Sequence, residues 1–406
     1  MRNIFKLIFA AFLAVGVAHA EGGVGKIVMF RDNVRADVRG NFVKNFNGKL
    51  KTDLPLINAV VVEIPAGTEA AFDRAMRERA NDIYYIEDDI TLNWLNSVSE
   101  LDVAAFKKDL KESKIETPVV NELEPELVMD SRAAAALPWG ITRVKANKVW
   151  ARNTGRGVKV GIVDTGVDLD HPNLKANIVA SFNAITPNTT GDDDNGHGTH
   201  VAGTIAGVLN GPNGVTGVAP EAKIYAAKVL SASGSGSLSS VVSGIQWVVS
   251  QKVSVINMSL GSPQGSEAIA KAVKAAKAAG VTVVCAAGND SGPVNYPAAY
   301  PESVAIAASD SSDKITSFSS RGPQIAFIAP GKDIPSTFKD GGYRTLSGTS
   351  MASPHVAGLA VLAVAAGAKT PEQVIAKLKA ASVKLNLQPT EQGNGLIQAD
   401  KISAKK

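Results

Sequence analysis

The chain has 406 residues, 45% of them apolar and 20% charged, and a formal net charge of only +4. That length exceeds one typical domain and that composition builds a sizeable core, which excludes a disordered or fibrous protein. The small charge and the lack of any basic tract argue against nucleic acid as a partner, and a single cysteine, Cys285, excludes an intrachain disulfide.

Arg2 and Lys6 open an apolar run, Leu7 to Val17, that ends in Ala18-His19-Ala20. A basic start, a short apolar stretch and a small-x-small end mark residues 1–20 as a secretory signal peptide, too short to span a membrane as a helix. The protein is therefore expected outside the cell, free of the membrane once the leader is removed. From Lys26 to about Leu95 the pattern changes from a strand at Lys26–Phe30 to a helix and then to paired strands, with Ala59–Pro65, a helix over about Glu69–Ala80 and a closing strand at Asp82–Thr91 in the second half. This β-α-β-β-α-β order predicts a small ferredoxin-like α+β domain in residues 21–95. Residues 96–136 hold one amphipathic helix candidate, Glu100–Lys114, then the acidic Asn121–Glu126 and a run of alanines, and read as a linker.

After Trp139, strand-like runs at Val158–Asp164, Lys223–Leu230, Val253–Leu260, Val281–Ala287, Ser303–Ala308 and Ile325–Ala329 alternate with helical runs at His197–Val208, Leu238–Gln251, Glu267–Ala279 and Ser350–Ala366. Short β-branched runs separated by helices predict an α/β domain with a mainly parallel sheet covered on both faces. In such sheets, sites gather at the carboxyl ends of strands.

Four short motifs carry chemistry. Asp164 ends its strand before Thr165-Gly166, where an Asp can also simply begin a turn. His197 falls in the first turn of a helix, whose partial positive charge opposes protonation and suits a base. Asn289, after Ala287-Gly288, offers an amide donor at a strand end. Ser350, in Gly348-Thr349-Ser350-Met351-Ala352-Ser353-Pro354, opens a helix whose first N–H groups lack intrahelical partners, a ready site for a developing oxyanion; a serine there can equally be a plain helix cap. His197 and His200, three apart, could instead ligate a metal, although the Glu of a zinc-protease helix is missing. His171, His200 and His355 read as structural, and Cys285 as a buried apolar residue.

Together, Asp164-Thr165-Gly166, His197–Gly203, Ala287-Gly288-Asn289 and Gly348–Pro354 resemble the signatures of the subtilisin family of serine proteases, in the same chain order of Asp, His and Ser. The resemblance runs from about Leu137 to about Ala366, and the first domain resembles the inhibitory, chaperone-like propeptide of secreted members. It implies a subtilisin-like three-layer peptidase domain over residues 137–406, made as a self-processed precursor and acting as a monomer on proteins or peptides, with its own propeptide as intramolecular inhibitor. It implies that Ser350 attacks, His197 moves the proton, Asp164 orients the imidazole and Asn289 binds the oxyanion. Substrate binding falls on Ser233, Gly234, Ser235, Gly236 and Leu238, on Ser259, Leu260 and Gly261, and on Ala287 and Gly288. Leu238 stands where the family often has an aromatic residue, which implies an open, aliphatic pocket for the fourth residue before the cleaved bond. The chemistry needs no cofactor and no metal. Leu209–Val215 resembles a calcium loop of the family, so a structural calcium stays open; its side-chain ligand positions fall on Ala135, Asn173 and Gly211, with no carboxylate among them, and Asp192–Asp194 offer a weaker cation site or a solvated turn. A catalytically silent peptide-binding relative is the competing reading.

Overall fold

The computed structural model describes residues 23–35, 39, 48–95, 137–209 and 215–402. The expected signal peptide, the expected linker with its helix candidate, Ala135 and Gly211 therefore lie outside the described residues.

The first unit is a four-stranded antiparallel sheet of β1 (Val24–Phe30), β2 (Lys49–Leu54), β3 (Ala59–Ile64) and β4 (Ile83–Asp88), in the order β2-β3-β1-β4, with helix α1 at Glu69–Arg77. Strand alternation splits its side chains between two cores. Val28, Phe30, Val60, Val62 and Ile64 pack with Phe72 and Met76 of α1. Ile27, Met29, Leu54, Ile57 and Val61 point the other way and join the core of the larger unit. The closing strand is shorter than its sequence pattern suggests: it stops at Asp88, turns through Asp89 and Ile90, and resumes as β5 (Thr91–Asn93) on a different sheet.

The larger unit is built on nine strands in the order β16-β17-β13-β12-β11-β10-β6-β8-β7. They are β6 (Lys159–Asp164), β7 (Ile178–Asn183), β8 (Lys223–Lys228), β10 (Val255–Met258), β11 (Thr282–Ala286), β12 (Ser303–Ser309), β13 (Ile325–Pro330), β16 (Ser382–Val383) and β17 (Leu396–Ile397). All neighbours run parallel except β16 and β17. The central strands are apolar and buried on both faces, as a sheet sandwiched between helices requires. One face carries α2 (His197–Ala206), α5 (Thr349–Ala365) and α6 (Pro371–Ala380); the other carries α3 (Leu238–Ser250) and α4 (Glu267–Ala278). Helix α5 is buried from Thr349 to Ala363, so it is apolar all round, as a helix in the middle of a core must be. Two two-stranded pieces complete the fold: the hairpin β14 (Ile334–Phe338) with β15 (Gly342–Leu346), and β5 with β9 (Ser235–Ser237).

The first unit sits on α3 and α4. Its five inward apolar side chains each contribute roughly 1.5–3 kcal/mol on burial. Two carboxylates add direction: Glu87 accepts from the Ala268 amide and the Ser266 hydroxyl, both at 3.0 Å, and Asp89 accepts from the Ser239 amide at 2.9 Å and its hydroxyl at 2.6 Å. Each acid thus meets the positive N-terminus of a helix, an arrangement worth about 0.3–1 kcal/mol to a carboxylate at exposed sites, a gain that burial outweighs for Glu87. The apolar face sets the strength of the contact and the two acids set its register.

Candidate active site

The strand order reverses direction between β6 and β10, and the site lies at the carboxyl ends of those strands. Asp164 closes β6, fully buried, and its Oδ1 takes the His197 Nδ1–H at 2.8 Å and the Thr165 amide at 2.7 Å. Gly198 packs so tightly that a Cβ there would lie 2.0 Å from the Gly166 carbonyl oxygen, which is why α2 can approach the end of β6. Asp193 organises the entry to α2. Its Oδ1 accepts from Thr165 Oγ1 and the Asn195 and Gly196 amides, and its Oδ2 accepts from the Thr199 amide and hydroxyl.

His197 is therefore held through Nδ1, and among the described residues its buried Nε2 has no hydrogen-bond partner. Burial opposes the imidazolium, but the Asp164 charge and hydrogen bond, with the Asp193 charge behind, outweigh it and raise the pKa above 6.5. The helix N-terminus opposes protonation of His197, and Asp164 acts against it: a full negative charge in hydrogen-bond contact exceeds the fractional charge of a helix end.

Ser350 is the second residue of α5, delivered by Gly348. Its Oγ donates to the Ser259 carbonyl at 3.2 Å, while its own carbonyl accepts from Ser259 Oγ at 2.8 Å. Asn289 Oδ1 accepts from the Thr349 amide at 2.7 Å and hydroxyl at 2.9 Å. Those two donors occupy the oxygen and fix which end of the amide is which, leaving Nδ2 as a donor with no hydrogen bond among the described residues. Asn289, Ser350, Leu260, Gly261, Ala286, Gly288 and Asn295 enclose a small cavity with Trp94 and Leu95 at its mouth.

The edges of that cavity are occupied by the first unit's tail. Leu92 pairs antiparallel with Gly236 and Asn93 with Ser235. The Trp94 amide donates to the Gly234 carbonyl at 2.9 Å, its carbonyl accepts from the Gly261 amide at 3.2 Å, and its indole donates to the Gly236 carbonyl at 2.9 Å. Asn93 Nδ2 reaches the Ser233 carbonyl, and its Oδ1 accepts the Leu95 amide. Leu238 is buried beside Leu92 and Ile90. An extended segment therefore lies between Ser233–Leu238 and Gly261. Within the sequence-derived set, the Ser259 side chain is fully buried and braces α5, and Ala287 packs in the core; Ala286, one strand position earlier, faces the cavity instead. Asn295 carried no sequence signal: it comes to the site because its amide bonds the Ala287 carbonyl across an irregular loop.

The remaining candidates are structural. His200 Nε2 bonds the Ile334 carbonyl, and burial pushes its pKa down to about 3; His355 Nδ1 bonds the Met351 carbonyl and is pushed down to about 4. His171 bridges the Gly342 carbonyl and the Asn173 amide. With these partners His197 and His200 do not converge on a common point, and among the described residues no three His, Cys, Asp or Glu side chains are grouped to hold a metal. Asn173 uses its Nδ2 on the Val215 carbonyl and its Oδ1 on the Tyr343 hydroxyl. Asp194 pairs with Lys228 at 2.6 Å and Asp192 accepts from the Leu169 amide. Asn173, Asp192 and Asp194 thus spend side-chain oxygens on protein partners, while Ala135 and Gly211 of the expected calcium loop lie outside the described residues. Burial raises the Cys285 thiol to about 12, so it is inert.

A buried carboxylate–imidazole pair, a serine in the first turn of a helix and an Asn that lines one cavity with that serine are the parts a serine-type hydrolase uses. The subtilase family model matches residues 155–395, more than half of the chain. Subtilisin DY of Bacillus licheniformis is 49% identical over 235 residues, spanning 56% of this chain and 85% of its own. M-protease of Shouchella clausii (strain KSM-K16) is 41% identical over 302 residues, spanning 72% and 78%. An intracellular serine protease of Paenibacillus polymyxa is 41% identical over 289 residues, spanning 67% and 88%. The chain belongs to the subtilase family and is a serine endopeptidase, whose chemistry requires no cofactor. No helix among the described residues is long and apolar enough to cross a membrane.

Proposed function

We propose that the chain hydrolyses protein substrates through an acyl-enzyme with Ser350 as nucleophile, His197 as general base and then acid, and Asp164 as the group that holds the imidazole and stabilises its cation. The observation that carries this reading is the 2.8 Å Asp164–His197 contact, which leaves Nε2 as the only ring nitrogen able to take a proton. Ser350 Oγ rests on the Ser259 carbonyl, so attack begins with a rotation about its Cα–Cβ bond toward Nε2; such bonds commonly tighten only with substrate bound. Asn289 Nδ2 and the Ser350 amide receive the oxyanion. Substrate backbone adds a strand to Ser233–Gly236 and to Gly261, its fourth residue before the cleaved bond beside Leu238.

Residues 21–95 act as an intramolecular inhibitor whose tail already occupies that path, and the chain first cuts itself after Leu95, which borders the cavity with Ser350. The linker, residues 96–136, is trimmed afterwards, leaving a monomeric peptidase of residues 137–406. The apolar run behind Arg2 and Lys6 supports export by a cleaved leader. An organophosphate probe tests the nucleophile: a single adduct on Ser350 of processed enzyme is expected, and processed, folded protein without it overturns the reading.

A further inference from the structure

Lys228 ends β8 directly beside Asp164 in the parallel register of β8 with β6, and it has no part in the proton transfer. Its side chain is buried, which is costly for an ammonium unless its donors are met. They are met three times. Nζ donates to the Thr165 carbonyl at 2.8 Å, to the Leu230 carbonyl at 2.8 Å and to Asp194 Oδ1 at 2.6 Å, which uses all three protons of the group. Each acceptor belongs to a different part of the site. Thr165 follows Asp164, Asp194 follows the Asp193 that organises the entry to His197, and Leu230 is the last residue before the turn that carries Ser233–Gly236.

The Val229 and Leu230 amides both donate to the Asp164 carbonyl, at 2.8 and 3.2 Å, so the strand arrives at Leu230 fixed to β6. Beyond it the chain folds back on itself: the Ser231 amide donates to the Ser235 carbonyl at 2.8 Å and the Gly234 amide to the Ser231 carbonyl at 2.9 Å. The Leu230 carbonyl lies in the peptide plane that joins these two pieces, and Lys228 Nζ fixes that plane. Asp164 and His197 keep their mutual contact, and Asp164 its bond from the Thr165 amide, without help from Nζ.

We infer that Lys228 is a positioning residue that holds the Ser233–Gly236 edge at a fixed offset from the Asp164–His197 pair, so that a peptide paired with the edge brings its cleaved bond onto Ser350. This rests on the proposed function, since it takes that edge as the receiver of substrate backbone. Without the ammonium a peptide still pairs with the edge, but the edge shifts against the catalytic pair. Binding is kept and turnover is lost. A substrate too short to reach the edge does not register the change.

The test compares acetyl-Leu p-nitroanilide with a tetrapeptide p-nitroanilide ending in Leu, using processed enzyme whose active sites have been counted with the organophosphate. In the wild type, extension should raise kcat about 10²-fold, because the binding energy of the added residues is realised at the reacting bond. Lys228→Met should lower kcat for the tetrapeptide about 10²-fold, the cost of a misplacement of about 1 Å, while its KM and both constants for the short substrate stay within about 3-fold. If that variant does not fold, Asp194→Ala carries the test, since the Asp194 side chain is exposed and supplies one of the three acceptors. It should cut the length advantage about 5-fold, a part of the full misplacement, and Asp194→Asn, which keeps an acceptor oxygen, should restore most of it. Equal losses on both substrates, or an undiminished length advantage in the folded variants, overturn the inference and leave the edge and the nucleophile in place. A wild type with no length advantage would instead strike the reading of Ser233–Gly236 as the substrate edge, and the inference with it.

Discussion

Replacing Asp164 by Asn probes the centre of the site, and the structure sets the size of the effect. Asp164 Oδ1 takes two donors, His197 Nδ1–H and the Thr165 amide. In Asp164→Asn the Thr165 amide holds the carboxamide oxygen in the Oδ1 position, because the reversed orientation would set two N–H groups against each other. The histidine tautomer is then kept, and what is lost is the charge. Two unit charges about 4 Å apart attract by about 4 kcal/mol at an effective dielectric of 20. Allowing for the neutral hydrogen bond that remains, the imidazolium of the transition state loses about 3–4 kcal/mol, and kcat should fall about 10²–10³-fold. The pKa of His197 should fall too, since Asp164 is what raises it against burial. The base works neutral, so the wild-type acid limb of kcat/KM lies above pH 6.5 and moves to lower pH in the variant. A pH profile on a peptide p-nitroanilide, with circular dichroism to confirm folding, measures both. Turnover within about 10-fold of wild type, or an unmoved acid limb, would refute the reasoning. A loss beyond about 10⁴, the size the trypsin example in which the tautomer inverts displays, would show that Thr165 does not hold the oxygen.

Ser350→Ala should leave the purified precursor uncut, read by gel and mass spectrometry; full processing with no other protease present would contradict self-cleavage by Ser350. N-terminal sequencing of the earliest wild-type products should find a chain beginning at Asn96, and a first terminus near Ala134 with no earlier fragment would overturn cleavage after Leu95. Burial raises the Glu87 pKa despite its hydrogen bonds from Ala268 and Ser266, so docking favours the protonated acid and weakens as pH rises through that raised value. Glu87→Gln should therefore inhibit at neutral pH at least as well as wild type when residues 21–95 are added in trans to the processed enzyme. Weaker inhibition by that variant would mean the ionised form is the one bound.

What the sequence made legible was whatever repeats a period. Strands β6, β8 and β10 to β13 are short β-branched runs between helices, and each was recognisable within a residue or two. Strand β7 was not, because it lies at the sheet edge: Ile178–Asn183 is mostly half-exposed and carries no continuous apolar run. The β14–β15 hairpin is short and polar and equally silent, yet its carbonyls at Ile334 and Gly342 are what hold His200 and His171 in structural roles. The chemistry was legible where a motif fixes backbone geometry, as glycines do beside Asp164, Asn289 and Ser350. It was not legible where tertiary structure alone brings a residue in, as with Asn295, or where two effects compete on one group. His197 is the clearest case of the second kind: a helix start and a buried carboxylate give opposite instructions about its proton. Only the 2.8 Å contact decides between them, in favour of a base whose pKa is high enough to accept the proton it must later return.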